Sequence, residues 1–366
     1  MRPYARTLVA AALAVTVVSG TAGWVSGNAQ QAVTGPPPGT ASWRADHTLG
    51  RELPDPEEDS PAEVAAFFAG LSEAQRQALA ARHPLVVGNL DGAPVALRYR
   101  ANARALKASH DSRYARLAED PARRFLAFDP RGRGQVAEVF GDLAAARRVS
   151  VVVPGSDIDA GTFDRTTDVY GTPAGMGRSL YARTGPGTAV IAWAGYTTPV
   201  GLGLDAARGT LAEAGSVRLV RFTDGLRAAG APVTTVFCHS YGSVVCGLAA
   251  HRLRVADLVV LGSPGMRADN VAGLRTGARV WAAKDPGDWI GKVPHVEFAG
   301  LGHGADPASP GFGARRVPAD DAKGHTGYFA PGTESLSAFT SIAQGAYGYR
   351  PSSSASPTMT PSGPRR

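Results

Sequence analysis

The chain has 366 residues, a formal net charge of +7, 44% hydrophobic residues and 19% charged residues. That length suits one large domain with additions, and the composition excludes a chain disordered throughout. The charge comes mostly from arginine, but no Lys/Arg run is dense enough for a nucleic-acid tract and no nucleic-acid motif is present, so nucleic acid is disfavoured as a partner; an exported protein meeting anionic wall or lipid surfaces accounts for the charge as simply.

The first element is an export signal over residues 1–29. Arg2 and Arg6 form a charged start, and Leu8 to Val18 is an apolar stretch too short to span a bilayer comfortably. Small residues then offer cleavage after Ala22 or Ala29; an uncleaved anchor reaching through Trp24 and Val25 is the alternative. Residues 30–58 are rich in Gly, Pro and charge and read as a linker. Residues 59–120 read as a small helical region, either a cap or a brace. Ser60-Pro61-Ala62-Glu63 is a capping box with proline at the first helical position, and Gly70 ends that helix. Ser72-Glu73-Ala74-Gln75 is a second box, closed by His83-Pro84. A longer helix is expected from about Pro94 to Glu119, with Leu97, Ala101, Ala105 and Ala108 on one face.

From Arg124 the periodicity changes. Phe125 to Phe128 and Gln135 to Phe140 flank Asp129-Pro130-Arg131-Gly132-Arg133-Gly134, a hairpin signal. Apolar runs follow at Val149–Val153, Thr188–Ala194, Val233–Phe237, Leu258–Leu261, Ala278–Ala283 and Ala314–Val317. Helical patterns separate several of them, notably Asp205–Ala229 and Tyr241–Leu253. Strands apolar throughout and alternating with helices imply a mostly parallel sheet covered on both faces, so residues 121–350 read as one α/β domain. The tail, 351–366, is of low complexity, reads as disordered and has no apolar segment to anchor it.

Within that domain, Cys238-His239-Ser240-Tyr241-Gly242 joins a strand directly to a helix. Such a turn forces strained backbone at its apex and pushes the apical side chain out above the sheet edge. The helix start aims its unpaired N–H groups into the same space. The usual pattern is G-x-S-x-G, in which small residues let strand and helix approach; here the first glycine is Cys238. Chance could place such a motif in a chain with 45 glycines, but the strand before it and the helix after it argue for a nucleophile elbow. Cys238 and Cys246 are the chain's two cysteines. Export would allow a disulfide, yet one closes a strand and the other lies two turns into the next helix, so a bridge and two buried thiols both stand.

A serine hydroxyl needs a base, and in this architecture the order along the chain is serine, acid, histidine. His251 belongs to the elbow helix and His295 to an apparent strand, His295–Phe298. His325 follows the expected last strand and is taken as the base, with His303 in a glycine-rich loop as the alternative. The acid should follow the strand 278–283. Asp288, beyond a Pro-Gly turn able to fold it back beneath the histidine, is preferred; Asp285 is the alternative, and one of the two should cap the turn. The N–H of Tyr241 faces a developing oxyanion, with Gly155 or Ser156, just past Val149–Val153, as second donor. Four aspartates from Asp157 to Asp168 invite a calcium reading, but no EF-hand spacing is present and the loop is read as a cleft border. Trp193 and Tyr196 are candidates for the opposite wall of the substrate cleft, with plain packing as the alternative.

These segments resemble the actinobacterial α/β-hydrolase domain proteins of unknown function. The resemblance runs from about Ser60 to Tyr347 and rests on four blocks: Pro84 to Pro94 with Arg98 and Asn102; Cys238 to Ser243; Gly262-Ser263-Pro264-Gly265; and Asp306-Pro307 with Phe312-Gly313-Ala314 and Gly324-His325. It implies an α/β-hydrolase fold and a serine–histidine–acid triad, and no substrate. Pro286-Gly287-Asp288-Trp289-Ile290 and His325-Thr326-Gly327-Tyr328 also resemble the acid and histidine segments of cutinases, which favours Asp288 over Asp285. The cysteines that flank the cutinase acid loop are absent, so cutinase substrates do not carry over. The expectation is a secreted or cell-surface serine esterase acting on a small-molecule or lipid ester, with no metal or organic cofactor. An acyltransferase to a sugar or lipid hydroxyl and a non-catalytic wall-associated binding protein are the alternatives.

Overall fold

The computed structural model describes residues 29–347. The export segment, apart from Ala29, and the tail 351–366 lie outside the described residues.

The stretch 30–58 does not behave as a linker. It carries a short helix, α1 (Thr40–Arg44), and its Trp43 is fully buried with Nε1 donating to Pro54 O at 2.7 Å. A large aromatic with its one donor satisfied outweighs the surrounding glycine and proline, which set turns here and not flexibility. Helices α2 (Pro61–Ala69) and α3 (Glu73–Arg82) each start with a complete capping box, from Ser60 and Ser72. His83 ends α3 and at once precedes α4 (Pro84–Asn89), since proline is well placed in a first helical turn. The long helix expected to Glu119 divides into α5 (Val95–Ala108) and α6 (Ala115–Glu119). Between them the Asp111 side chain accepts from Arg113 N at 3.0 Å and caps a new turn, drawing the backbone out of the helix.

Strands β1 (Arg124–Asp129) and β2 (Gln135–Phe140) form the expected hairpin. Then come β3 (Arg148–Val153), α7 (Pro173–Thr184), β4 (Thr188–Ala194), α8 (Leu204–Ala207), α9 (Thr210–Ala228), β5 (Thr235–His239), α10 (Gly242–Ala249), β6 (Asp257–Leu261) and β7 (Arg279–Ala283). A two-strand ribbon, β8 (Glu297–Phe298) with β9 (Leu301–Gly302), stands apart from the sheet, so His295 is not in a strand. β10 (Arg315–Val317) and α11 (Glu334–Ala343) close the described fold.

The eight-stranded sheet has the order β1-β2-β4-β3-β5-β6-β7-β10. β2 is antiparallel to β1 and β4; all other neighbours are parallel. Successive side chains go to opposite faces, which is why both are apolar. Val151, Val153, Val236 and Cys238 join a core under α9 and α10, while Val152, Phe237 and Val259 join another with Leu180 of α7 and Phe339 of α11. The helices 59–120 form a brace on the outer hairpin. Buried Arg98 of α5 donates to Gly88 O and Leu126 O, and Asn102 donates to Gly88 O and Phe125 O. A Cβ on Gly88 would lie 2.1 Å from Asn102 Oδ1, so glycine alone fits that crossing.

Candidate functional site

The carboxyl ends of β5, β6, β7 and β10 share one rim of the sheet. At the end of β5, Ser240 has φ of 52°, a left-handed conformation costing about 1–3 kcal/mol for a residue with a side chain. Its N–H donates to Leu261 O at 3.0 Å, and two residues later α10 begins. Gly242 allows that reversal: a Cβ there would lie 2.7 Å from the carbonyl oxygens of both Val153 and Pro154. Cys238 and Cys246 are joined in a disulfide, with Cα atoms 6.4 Å apart. The bridge ties the strand to the helix across the turn, so the pairing left open by spacing is formed: one strand residue and a helix residue on the facing side come within reach.

His325 lies in the loop between β10 and α11. Its Nε2 is 2.9 Å from Ser240 Oγ. Its Nδ1 is 2.9 and 3.0 Å from the two carboxylate oxygens of Asp288. Asp288 follows β7 and starts a short 3-10 turn, Trp289–Lys292, where its Oδ1 also accepts from Ile290 N at 2.9 Å. One carboxylate thus caps the turn and receives the imidazole. Burial works to raise the Asp288 pKa, but the hydrogen bond and charge of His325, the Tyr328 hydroxyl and the Ile290 N–H outweigh it and hold the carboxyl below its usual value.

Other candidates are placed elsewhere. Asp285 turns away from the imidazole: its carboxylate accepts from Gly287 N at 3.2 Å and from Gly324 N, so it orders the loop that presents His325. His303 is not beside the serine. Its Nε2 donates to Ala206 O at 2.7 Å, its ring meets Tyr241 edge-on with centroids 5.6 Å apart, and burial pushes its pKa down to about 4. Trp193 and Tyr196 do not wall a cleft. Each is 2% exposed, and they stack on each other with centroids 5.9 Å apart beneath the loop that follows β3. The Tyr196 hydroxyl donates to Pro154 O at 2.7 Å, which braces that loop from below. Trp193 shares its face of β4 with Ala189 and Ile191, so period-two alternation was the packing signal for it; Tyr196 lies past the strand and had no such signal. The aspartates of the 157–168 loop serve the chain: Asp159 pairs with Arg133, Asp164 with Arg116 and Arg123, and Asp157 accepts from Gly201 N.

Gly155 packs directly on the elbow; a Cβ there would be 2.6 Å from Ser240 Cβ. Among the described residues, the backbone N–H groups of Tyr241, Gly155 and Ser156 donate to no protein acceptor. The Tyr241 side chain is buried and donates its hydroxyl to Arg208 O at 2.8 Å.

Four further residues belong to this site. The Tyr328 hydroxyl donates to Asp288 Oδ2 at 2.6 Å and accepts from Asp285 N at 3.0 Å. His239 donates Nε2–H to His325 O at 2.7 Å; a carbonyl only accepts, so that nitrogen carries a proton. Burial, then repulsion from His325, pushes the His239 pKa down to about 3, so its ring is neutral. Gly262, at φ 54°, lies under the pair: a Cβ would be 2.9 Å from Asp288 Oδ2 and 3.1 Å from His325 Nδ1. Trp289, 36% exposed, places its ring 4.6 Å from the imidazole. All four sit inside motifs already quoted, but their partners are distant in sequence.

This sheet order, with a serine on a strand-to-helix turn and a histidine in a late loop, defines an α/β hydrolase. Residues 129–298 match the family model described as alpha/beta hydrolase. Among curated proteins it is similar to the uncharacterized proteins Rv2079 and MT2140 of Mycobacterium tuberculosis, at 29% identity over 80% of this chain and 57% of theirs. The chain therefore spans little more than half the length of those relatives. Among solved structures it is similar to the esterase domain of a Rhodothermus marinus protein (15% identity, TM-score 0.37, 59% of this chain and 94% of that one). It is also similar to esterase PE8 (16%, 0.36, 57% and 97%).

Proposed function

We propose that this protein is an exported serine hydrolase that cleaves a carboxylic ester through an acyl-enzyme. The observation that carries the reading is the unbroken path from Ser240 Oγ to His325 Nε2 at 2.9 Å, and from Nδ1 to Asp288 at 2.9 and 3.0 Å. Ser240 Oγ attacks the acyl carbonyl while His325 Nε2 takes its proton. Asp288 holds the imidazole in the required tautomer and offsets the charge it gains. The N–H of Tyr241 and that of Gly155 or Ser156 receive the oxyanion. Collapse expels the alcohol, protonated by His325, and water then releases the acid by the same steps. This chemistry requires neither a metal nor an organic cofactor.

Ester is favoured over amide because the sequence carries no peptide-binding signature. The substrate is a small-molecule or lipid ester. Export is supported by the disulfide, a bond that persists in oxidising compartments. A panel of nitrophenyl esters of graded acyl length tests the reading. The expected outcome is turnover with a length optimum, reduced by about 10⁴-fold or more in Ser240→Ala. A variant as active as the wild type removes Ser240 from the mechanism. Added alcohols that divert the acyl group from water would make the protein a transferase instead.

A further inference from the structure

The sequence offers two signal-cleavage bonds, after Ala22 and after Ala29, and each has small residues one and three positions upstream. Residues 30–34 are tied to the body of the fold. The backbone nitrogen of Gln30 lies 2.6 Å from Oδ2 of Asp205, on α8. Val33 N donates to Thr197 Oγ1 at 3.0 Å, and Arg131 Nη1 donates to Thr34 O at 3.1 Å. Ala32 packs against the main core. This segment, residues 30–34, meets α8 just before Arg208, whose carbonyl accepts from the hydroxyl of Tyr241, the proposed oxyanion donor.

We propose that processing cuts the Ala29–Gln30 bond and that the α-ammonium of Gln30 then pairs with Asp205, seating the mature N-terminus on α8. Water adds across the peptide bond, Ala29 leaves as a carboxylate, and the Gln30 nitrogen keeps its electron pair and is protonated. A carboxylate 2.6 Å from that nitrogen is already placed to receive the ammonium that the cut would create there. A cut after Ala22 would leave residues 23–29 attached and present only an amide N–H to Asp205. The inference rests on the proposed export and not on the triad.

The pairing has a chemical signature. An N-terminal glutamine cyclises when its unprotonated amine attacks the side-chain amide carbon and ammonia leaves. Asp205 keeps the nitrogen protonated, so cyclisation is slow in the folded protein. The test expresses the whole chain with its own leader in an exporting host and takes intact masses and N-terminal sequences of the secreted product. The expected product begins at Gln30 and resists cyclisation on storage, whereas Asp205→Asn begins at the same residue, cyclises several-fold faster and melts about 2 °C lower. A product beginning at Gly23 overturns the proposal and leaves export standing. A product retaining Met1 in the cells overturns both. Equal cyclisation rates in wild type and Asp205→Asn overturn the pairing; should that variant fail to accumulate, Asp205→Glu, which keeps the charge, must cyclise as slowly as the wild type or the pairing is wrong.

Discussion

Asp288 and Asp285 are three residues apart, both buried, and have different work. Asp288 receives the imidazole and the Tyr328 hydroxyl, while Asp285 receives backbone N–H groups. Asp288→Asn should therefore lower kcat by about 10⁴-fold, because the amide imposes the wrong imidazole tautomer. Asp285→Asn should cost far less, and Tyr328→Phe, which removes one hydrogen bond to the carboxylate, about tenfold. Steady-state kinetics on the three variants checks the order; a larger loss for Asp285→Asn than for Asp288→Asn would reverse the assignment. The serine, acid and histidine were legible because strand-to-helix grammar and chain order point to them. Tyr328, His239 and Gly262 were not, since their roles depend on partners 40 or more positions away or on space that only folding defines.

At the scale of elements, the elbow combines a strained serine, a helix seated against two carbonyls and a buried bridge. The bridge closes a short loop, Cys238 to Cys246 being eight positions apart, and loop-closure entropy assigns it on the order of 2–3 kcal/mol. A Cys238→Ala/Cys246→Ala variant should lose about that much in a urea titration, with m unchanged. A midpoint equal to the wild type would mean that the bridge constrains nothing in the unfolded chain. The inner strands β3, β4 and β5 were legible within a residue or two, because they are buried on both faces almost throughout. Boundaries shifted at Ser109 and His295, where side-chain capping or ribbon pairing competes with a local pattern; the helix expected over Asp205–Ala229 is also broken between Ala207 and Thr210, and the elbow helix ends at Ala249, short of Leu253.

For the molecule as a whole, the helices 59–120 and the strap 30–58 wrap the outer hairpin and do not roof the site, which resolves the choice between cap and brace. The strap was illegible because its composition matches that of linkers, while its order comes from buried Trp43 and from hydrogen bonds to loops and helices distant in sequence. Acid sensitivity is a property at this scale. His239 has its folded pKa pushed from 6.5 to about 3, so an unfolded chain binds a proton that the folded one refuses. Stability therefore falls as pH drops through that window, by at most about 1.4 kcal/mol per pH unit for one group. Asp288, with its pKa held low, adds a loss in the same direction at more acidic pH, as its carboxylate must be protonated. Urea midpoints measured from pH 7 to pH 4 should fall, and fall less steeply in His239→Gln; equal slopes would remove His239 from the acid response.

The convergence of Ser240, His325 and Asp288 is tested most directly by a fluorophosphonate, which reacts only with a serine activated by its base. Peptide mapping of the labelled wild type should place a single adduct on Ser240, with labelling lost in Ser240→Ala and strongly slowed in His325→Ala. An adduct on another residue, or undiminished labelling of Ser240→Ala, would contradict the account.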